Sequence, residues 1–429
     1  MPHVVLLPGI MGVSMENPAH GIIWPPGMRS GPAISNDELV DLLLDANTRP
    51  KKAIRHVACA GNVYGPLLDF LATLAGVGVT TFDYDWRKEL SALASDLAAL
   101  LDRAPPGEDI VLVAHSMGGL VARWMLESGH FTGRPWFPRI KHFVAAAVPH
   151  RGAPLALLRL LGRSGINCVI LPAANMKRLG SHPERYPSGY QLLPAPGYDC
   201  YEHGAGTAPD LYTAAEQRTI VLKAAGIDAV RAFHATLVPF KAPAGVTYHL
   251  LYGEGFETIT AMRIRSDGKV EPTVAAAGDG TVPATSANPP DLDDARHLRL
   301  RADHMGFLCH AGVLDYVGRL LGAPLPRTLD APAPLVQAFP AWRSVRPGTV
   351  LPVVLSVFPG KAIVEGTLTL VPMASNQAVA TVPVASGEAV DHVKLAVKMP
   401  GRNGPYRLVF SGTPAAASDE AVVSVVGGS

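Results

Sequence analysis

The sequence predicts a doubly wound α/β fold with a mostly parallel sheet, followed by a separate all-β unit. Apolar, β-branched runs of strand length alternate with helical patterns through most of the first 325 residues. That order calls for a parallel sheet with helices on both faces. One run, Ile110 to Ala114, meets a tight turn at His115-Ser116-Met117 and continues as a helix rich in Leu, Ala, Arg and Met. Beyond residue 340 the helical patterns stop, and short strand-like runs recur between turn residues.

In chain order, Val4 to Leu7 reads as the first strand and ends in Pro8-Gly9-Ile10-Met11-Gly12. This loop carries neither G-x-G-x-x-G nor a Walker lysine, so it is not read as a nucleotide cradle. Residues 13–50 are rich in Pro and Gly and read as irregular, apart from a helical pattern over Asp37 to Leu44. Val63 to Leu74 reads as a helix and Val77 to Tyr84 as the next strand. In Ser91 to Arg103, Leu93, Leu97, Leu100 and Leu101 recur at helical spacing, and Pro105-Pro106-Gly107 ends the pattern. After Ile110 to Ala114 and its helix, His142 to Val148 is a further strand.

From about 155 to 245 the strand rhythm disappears, leaving helical pieces at Leu155 to Leu161 and Thr213 to Phe233 around a Pro/Gly/Tyr-rich middle. An insert of that size in a compact domain reads as a cap over a site. Strands resume at Val246 to Tyr252, Thr258 to Ile264 and His297 to Arg301, and the helix Val313 to Leu321 closes a domain spanning 1–325. Residues 326–340 are rich in Pro and Ala and read as a linker. In 341–429, runs such as Val393 to Met399 alternate apolar and polar residues, the pattern of an immunoglobulin-like sandwich. It carries no evident chemistry.

Bulk composition excludes several classes. Basic and acidic residues number 37 and 36, and no Lys/Arg run exists, so nothing points to nucleic acid. Met1-Pro2-His3 leads directly into a strand, without the basic start and long apolar core of a secretory signal. No apolar run approaches a membrane span, and a soluble cytoplasmic protein is the expectation. Cys59, Cys168, Cys200 and Cys309 form no C-x-x-C pair, so neither a metal site nor a redox motif is expected. A Cys168–Cys200 bridge stays open for an exported protein.

Strand, serine, helix is the nucleophile elbow, in which a strained turn lifts a hydroxyl clear of the sheet. Ala114 stands where G-x-S-x-G has its first Gly, and Gly118 lets the helix pass close to the sheet. A serine nucleophile needs a base, and the base needs a carboxylate to orient it. In an α/β-hydrolase these follow in the order serine, acid, histidine. Asp279, in Gly-Asp-Gly, and His304, after a short strand, meet that order. Asp267 reads instead as a hairpin turn and His310 as a packing residue. The backbone amides of Ile10 and Met117 are the expected oxyanion donors. Met11, Trp86, His115 and His150 are the expected pocket residues.

With these pieces together, the chain resembles the lecithin–cholesterol acyltransferase family, which includes lysosomal phospholipase and diacylglycerol acyltransferase relatives. The resemblance rests on Leu7-Pro8-Gly9-Ile10-Met11-Gly12, Tyr84-Asp85-Trp86-Arg87, Ala114-His115-Ser116-Met117-Gly118-Gly119, Gly278-Asp279-Gly280-Thr281-Val282 and Asp303-His304. It implies Ser116, Asp279 and His304 as a triad, Ile10 as an oxyanion donor, and acyl esters of lipids as substrates. The cysteine-bounded lid of secreted members is missing and the cap sequence is not theirs. Asp85 and Arg87 read as a structural ion pair, and Trp86 as either core or acyl-pocket wall.

The expected function is cleavage of a lipid or other hydrophobic ester through an acyl-enzyme, without cofactor, with peripheral lipid contact through the cap. Water as acceptor makes a hydrolase, an alcohol an acyltransferase. The alternatives are a catalytically silent fold serving as a binding module, and a triad enzyme acting on a non-lipid ester, thioester or amide.

Overall fold

Strands buried on both faces need unbroken apolar runs, and Val4–Leu7 and Ile110–Ala114 are such runs. A computed structural model of the chain describes residues 2–26, 35–57, 61–165, 171–198, 200, 211–213, 222–265, 269–289, 296–323, 335–340, 344–358, 362–373, 375, 377–390, 392–415 and 421–425. The chain divides into two compact units. The first comprises the described residues through Leu321 except His56–Val57 and Gly61–Asn62, which group with the described residues from Gly322 onward.

The first unit begins with strands β1 (Pro2–Leu7), β2 (Val13–Asn17) and β3 (Gly21–Trp24), helix α1 (Asn36–Leu44) and strand β4 (Arg49–Ala53). After the two-residue strands β5 (His56–Val57) and β6 (Gly61–Asn62), which group with the second unit, come α2 (Gly65–Thr73), β7 (Gly78–Thr81), α3 (Leu90–Leu101), β8 (Asp109–His115), α4 (Met117–Glu127) and β9 (Ile140–Ala146). Helices α5 (Pro154–Leu160), α6 (Ala173–Gly180), α7 (Pro187–Gln191) and α8 (Ala224–Leu237) come before β10 (Thr247–Gly253). The unit closes with β11 (Thr258–Ile264), β12 (Val270–Ala275), α9 (Ala284–Ala287), β13 (Arg296–Leu300) and α10 (Ala311–Leu320).

Six of these strands form one sheet in the order β13-β10-β9-β8-β1-β7, and every neighbouring pair is parallel. The alternation of strand and helix therefore does produce the doubly wound sheet, with β8 between β1 and β9. Between β9 and β10 the described residues carry helices and no named strand, in the stretch expected as the insert. Part of the pattern over Thr213 to Phe233 lies outside the described residues, and its second half belongs to α8.

Three stretches differ from expectation. Among the described residues of 13–50, expected to be irregular outside α1, β3, β2 and β4 form an antiparallel sheet. Register shifts at Val13/Met15 and Met15/Glu16 break the period-two pattern that would reveal these strands. Strand β12 pairs antiparallel with β11; Asp267, between them, lies outside the described residues. Finally, part of the expected linker is a strand, β14 (Leu335–Pro340).

The second unit continues with β15 (Ser344–Val345), β16 (Val350–Phe358), β17 (Ala362–Pro372), β18 (Ala380–Val390), β19 (His392–Lys398), β20 (Gly404–Thr413) and β21 (Ala421–Val425). They form two sheets, β14-β16-β19 and β15-β21-β20-β17-β18. Side chains of both sheets, among them Val353, Leu355, Leu368, Leu370, Leu408 and Val423, share one core. No helix among the described residues is long and apolar enough to cross a membrane.

Helix α4 carries a charged pair inside the first unit. Arg123 and Glu127, one turn apart, are both fully buried and meet through two bonds of 2.8 Å. Arg123 also donates to the carbonyls of His150 (3.3 Å) and Leu237 (2.7 Å), and its guanidinium lies 3.6 Å from the Phe240 ring centroid. Glu127 accepts the Tyr248 hydroxyl at 3.1 Å. One arginine thus joins α4 to the loop after β9 and to the end of α8.

Candidate active site

Ser116 joins β8 to α4 with φ 52° and ψ −129°, a conformation that L-residues avoid unless the surroundings impose it. Its amide donates to Ala146 O on β9 at 2.9 Å, and its carbonyl accepts from Gly119 N at 2.9 Å. Close packing explains the small residues of the turn. A Cβ on Gly118 would lie 2.4 Å from Pro8 O, and one on Gly119 would lie 2.1 Å from Val148 Cγ2. Gly118 is the glycine the sequence reading gave this role; Gly119, whose partner lies in the loop after β9, is not.

The structure brings Ser116, His304 and Asp279 together. Ser116 Oγ lies 2.9 Å from His304 Nε2, and His304 Nδ1 lies 2.7 Å from Asp279 Oδ2. All three side chains are buried. The other carboxylate oxygen, Oδ1, accepts the amides of Thr281 (2.9 Å) and Val282 (2.7 Å), and His304 N donates to Asp279 O at 2.9 Å. An ionised carboxylate only accepts, so Nδ1 carries the imidazole hydrogen and Nε2 is left to accept from the serine hydroxyl. In general, a hydroxyl held this way can pass its proton to the ring as it attacks a carbonyl.

The loop Pro8–Val13 is held beside Ser116 by four aromatic side chains. Tyr84 Oη donates to Pro8 O (2.5 Å), and Tyr64 Oη accepts from Gly9 N (2.8 Å). The indole N–H of Trp24 donates to Met11 O (2.8 Å) and that of Trp86 to Val13 O (3.0 Å). Met11 itself sits at φ 61° and is partly exposed. Among the described residues, neither the Ile10 amide nor the Met117 amide has a protein acceptor. Trp24, Tyr64 and Tyr84 were not anticipated in this role, because their partners are far away in sequence. Only Tyr84 stood in a stretch already singled out.

Of the expected pocket residues, Trp86 and His115 are engaged by the protein itself. Trp86 is fully buried, edge-on to Trp24 and Tyr186, so it is core. His115 has both ring nitrogens within hydrogen-bond reach of protein groups, Tyr64 Oη and His304 O, leaving neither for a substrate. His150 lies beside Phe240 and Arg123, its ring nitrogens without a partner among the described residues. Arg87 grips both oxygens of Asp85 (2.8 and 2.7 Å) and donates to the Thr48 carbonyl, a structural pair as expected. His310 caps α10 through Gly312 N.

Buried histidines set an acid limit on the fold. Burial holds three imidazoles down, helped on His115 by the adjacent His304 and on His150 and His234 by the Arg123 guanidinium. His234 is lowered from 6.5 to about 4. Between these values the unfolded chain takes up a proton that the folded chain refuses. Stability is therefore complete above 6.5 and declines as pH falls, by up to about 1.4 kcal/mol per pH unit for each such group. Urea midpoints near pH 7.5 and pH 5.5 check this; equal midpoints would contradict it.

Comparison with known proteins places part of this geometry. Residues 73–213 match the lecithin:cholesterol acyltransferase family model. The resemblance to that family therefore holds over roughly a third of the chain, including Tyr84 to Arg87 and the turn at Ser116. The stretches around Ile10, Asp279 and His304 lie outside the match. No curated protein matches the chain. Among solved structures, a chain of the Tle4–Tli4 complex is similar over 76% of this chain and 99% of its own, at 14% identity and a TM-score of 0.52. At that identity the likeness concerns the fold, and the fold of the first unit is that of an α/β-hydrolase. A metagenomic carboxyl esterase, MGS0156 (15% identity, 70% of this chain and 64% of that one, TM-score 0.34), is also similar. So is polyneuridine aldehyde esterase (12%, 75% and 98%, 0.28). Scores this low add no argument.

Proposed function

We propose that the protein is a serine hydrolase that cleaves a lipid or other hydrophobic carboxylic ester through an acyl-enzyme. The observation that carries this reading is the chain Ser116 Oγ–His304 Nε2 (2.9 Å) and His304 Nδ1–Asp279 Oδ2 (2.7 Å), at a strained strand-to-helix turn. Ser116 Oγ attacks the ester carbonyl as His304 takes its proton. The amides of Ile10 and Met117 receive the developing oxyanion, and the leaving alcohol departs with the proton from His304. Water activated by His304 then releases the acid; an alcohol in its place would make a new ester. Asp279 keeps the imidazole in the required tautomer and stabilises its charged form.

The lipid character of the substrate is supported by the family match and by the helical insert between β9 and β10, which we read as a cap able to touch a lipid surface. We read the C-terminal unit as an immunoglobulin-like sandwich, supported by two sheets that share a core.

A fluorophosphonate probe tests the reaction class. The wild type is expected to be labelled on Ser116 and the Ser116→Ala variant not at all. A folded wild type that resists the probe, with detergent present to open the cap, would overturn the reading and favour a binding module.

A further inference from the structure

A second buried chain runs behind Ser116, and acyl transfer as described above makes no use of it. Tyr64 Oη is 2.8 Å from Gly9 N and 3.0 Å from His115 Nδ1, and His115 Nε2 is 2.9 Å from the backbone oxygen of His304. Tyr64 and His115 are 1% and 4% exposed, so water does not compete for these bonds. The direction of every proton follows from the two ends. A carbonyl oxygen only accepts, so His115 Nε2 carries a hydrogen. Burial and the adjacent His304 hold His115 well below its ordinary pKa, so the ring is neutral and Nδ1 is an acceptor. An amide only donates, so Tyr64 Oη accepts from Gly9 and gives its own hydrogen to Nδ1.

This chain joins the two halves of the site. At one end is Gly9, which precedes the Ile10 amide and packs so tightly that a Cβ on it would lie 2.9 Å from Ser116 Cβ. At the other end is His304 itself, whose ring centroid is 4.9 Å from that of His115. We propose that Tyr64 and His115 are positioning residues: the chain Gly9–Tyr64–His115–His304 holds the Ile10 amide and the His304 imidazole in register with Ser116. The inference rests on the reading of Ser116 as a nucleophile. Displacements of about 1 Å at reacting groups lower rates on the order of 100-fold, so a device that prevents them acts on turnover and not on substrate binding.

The test compares Tyr64→Phe, His115→Leu, His115→Gln and the double variant Tyr64→Phe/His115→Leu with the wild type. The readouts are kcat and KM on a soluble p-nitrophenyl ester, the rate of fluorophosphonate labelling, and Tm. Tyr64→Phe and His115→Leu are each expected to lower kcat and labelling rate about 10- to 100-fold, with KM changed less than about threefold. His115→Gln, which keeps a donor for the His304 carbonyl, is expected to recover part of the loss. Because both residues act through one chain, the double variant should be little worse than the worse single one. Tyr64→Phe removes a single oxygen and keeps the ring, so it carries the test if His115→Leu does not fold.

Folded variants with wild-type kcat and labelling rate would overturn the proposal. So would losses confined to KM, or losses that multiply in the double variant. An unlabelled wild type would overturn the functional reading, and this inference with it. A labelled wild type whose Tyr64→Phe variant labels equally fast would overturn only the positioning chain.

Discussion

Replacing Asp279 by Asn is expected to lower kcat/KM on an activated ester by about 10⁴-fold with the fold intact. The two oxygens of Asp279 have different neighbours. Oδ1 accepts the amides of Thr281 and Val282, whereas Oδ2 faces His304 Nδ1. An asparagine must keep its oxygen toward the two amides, because turning the side chain over would set its NH₂ against two donors. Its NH₂ then points at His304 Nδ1 and makes that nitrogen an acceptor. The ring hydrogen moves to Nε2, where it faces Ser116 Oγ and cannot receive the serine proton. Size and hydrogen-bond count hardly change, so circular dichroism and Tm should match the wild type. Activity within tenfold of wild type would remove Asp279 from the mechanism.

The largest expected loss of stability comes from Arg123→Leu, about 3–5 kcal/mol, because it leaves Glu127 charged and buried without its partner. The carboxylate would keep only the Tyr248 hydroxyl as a donor (3.1 Å). The same change frees the carbonyls of His150 and Leu237, which now accept from the guanidinium. The double variant Arg123→Leu/Glu127→Leu should be markedly less destabilised than Arg123→Leu, since no charge is stranded. Urea midpoints of the three proteins decide it. If the single and double variants unfold together, the pair adds nothing beyond packing.

The central strands were legible because a strand covered on both faces must be a continuous apolar run, as Ile110–Ala114 is. The sheet formed by β2, β3 and β4 was not, since its bulges break the alternation that marks a half-buried strand. Leu335–Pro340 reads as linker on its Pro and Ala content, yet Val336 and Ala338 belong to the core of the second unit. At the site, Ser116 was legible from its local setting of strand, small residues and helix. Tyr64 was not: its partners Gly9 and His115 are 55 and 51 positions away, and nothing local distinguishes it from a core tyrosine.

The sequence by itself determined the alternation of strands and helices, the turn that bears Ser116, and the chain order of serine, carboxylate and histidine. Each is a pattern written in neighbouring residues or in order along the chain. Only the tertiary structure decided that Ser116 and His304, 188 positions apart, and His304 and Asp279, 25 apart, meet at hydrogen-bond distance. It alone decided that His115 faces Tyr64 and the His304 backbone and that Trp86 is core. Hydrogen bonds reach about 3 Å, and the chain brings such groups that close only when the sheet has packed.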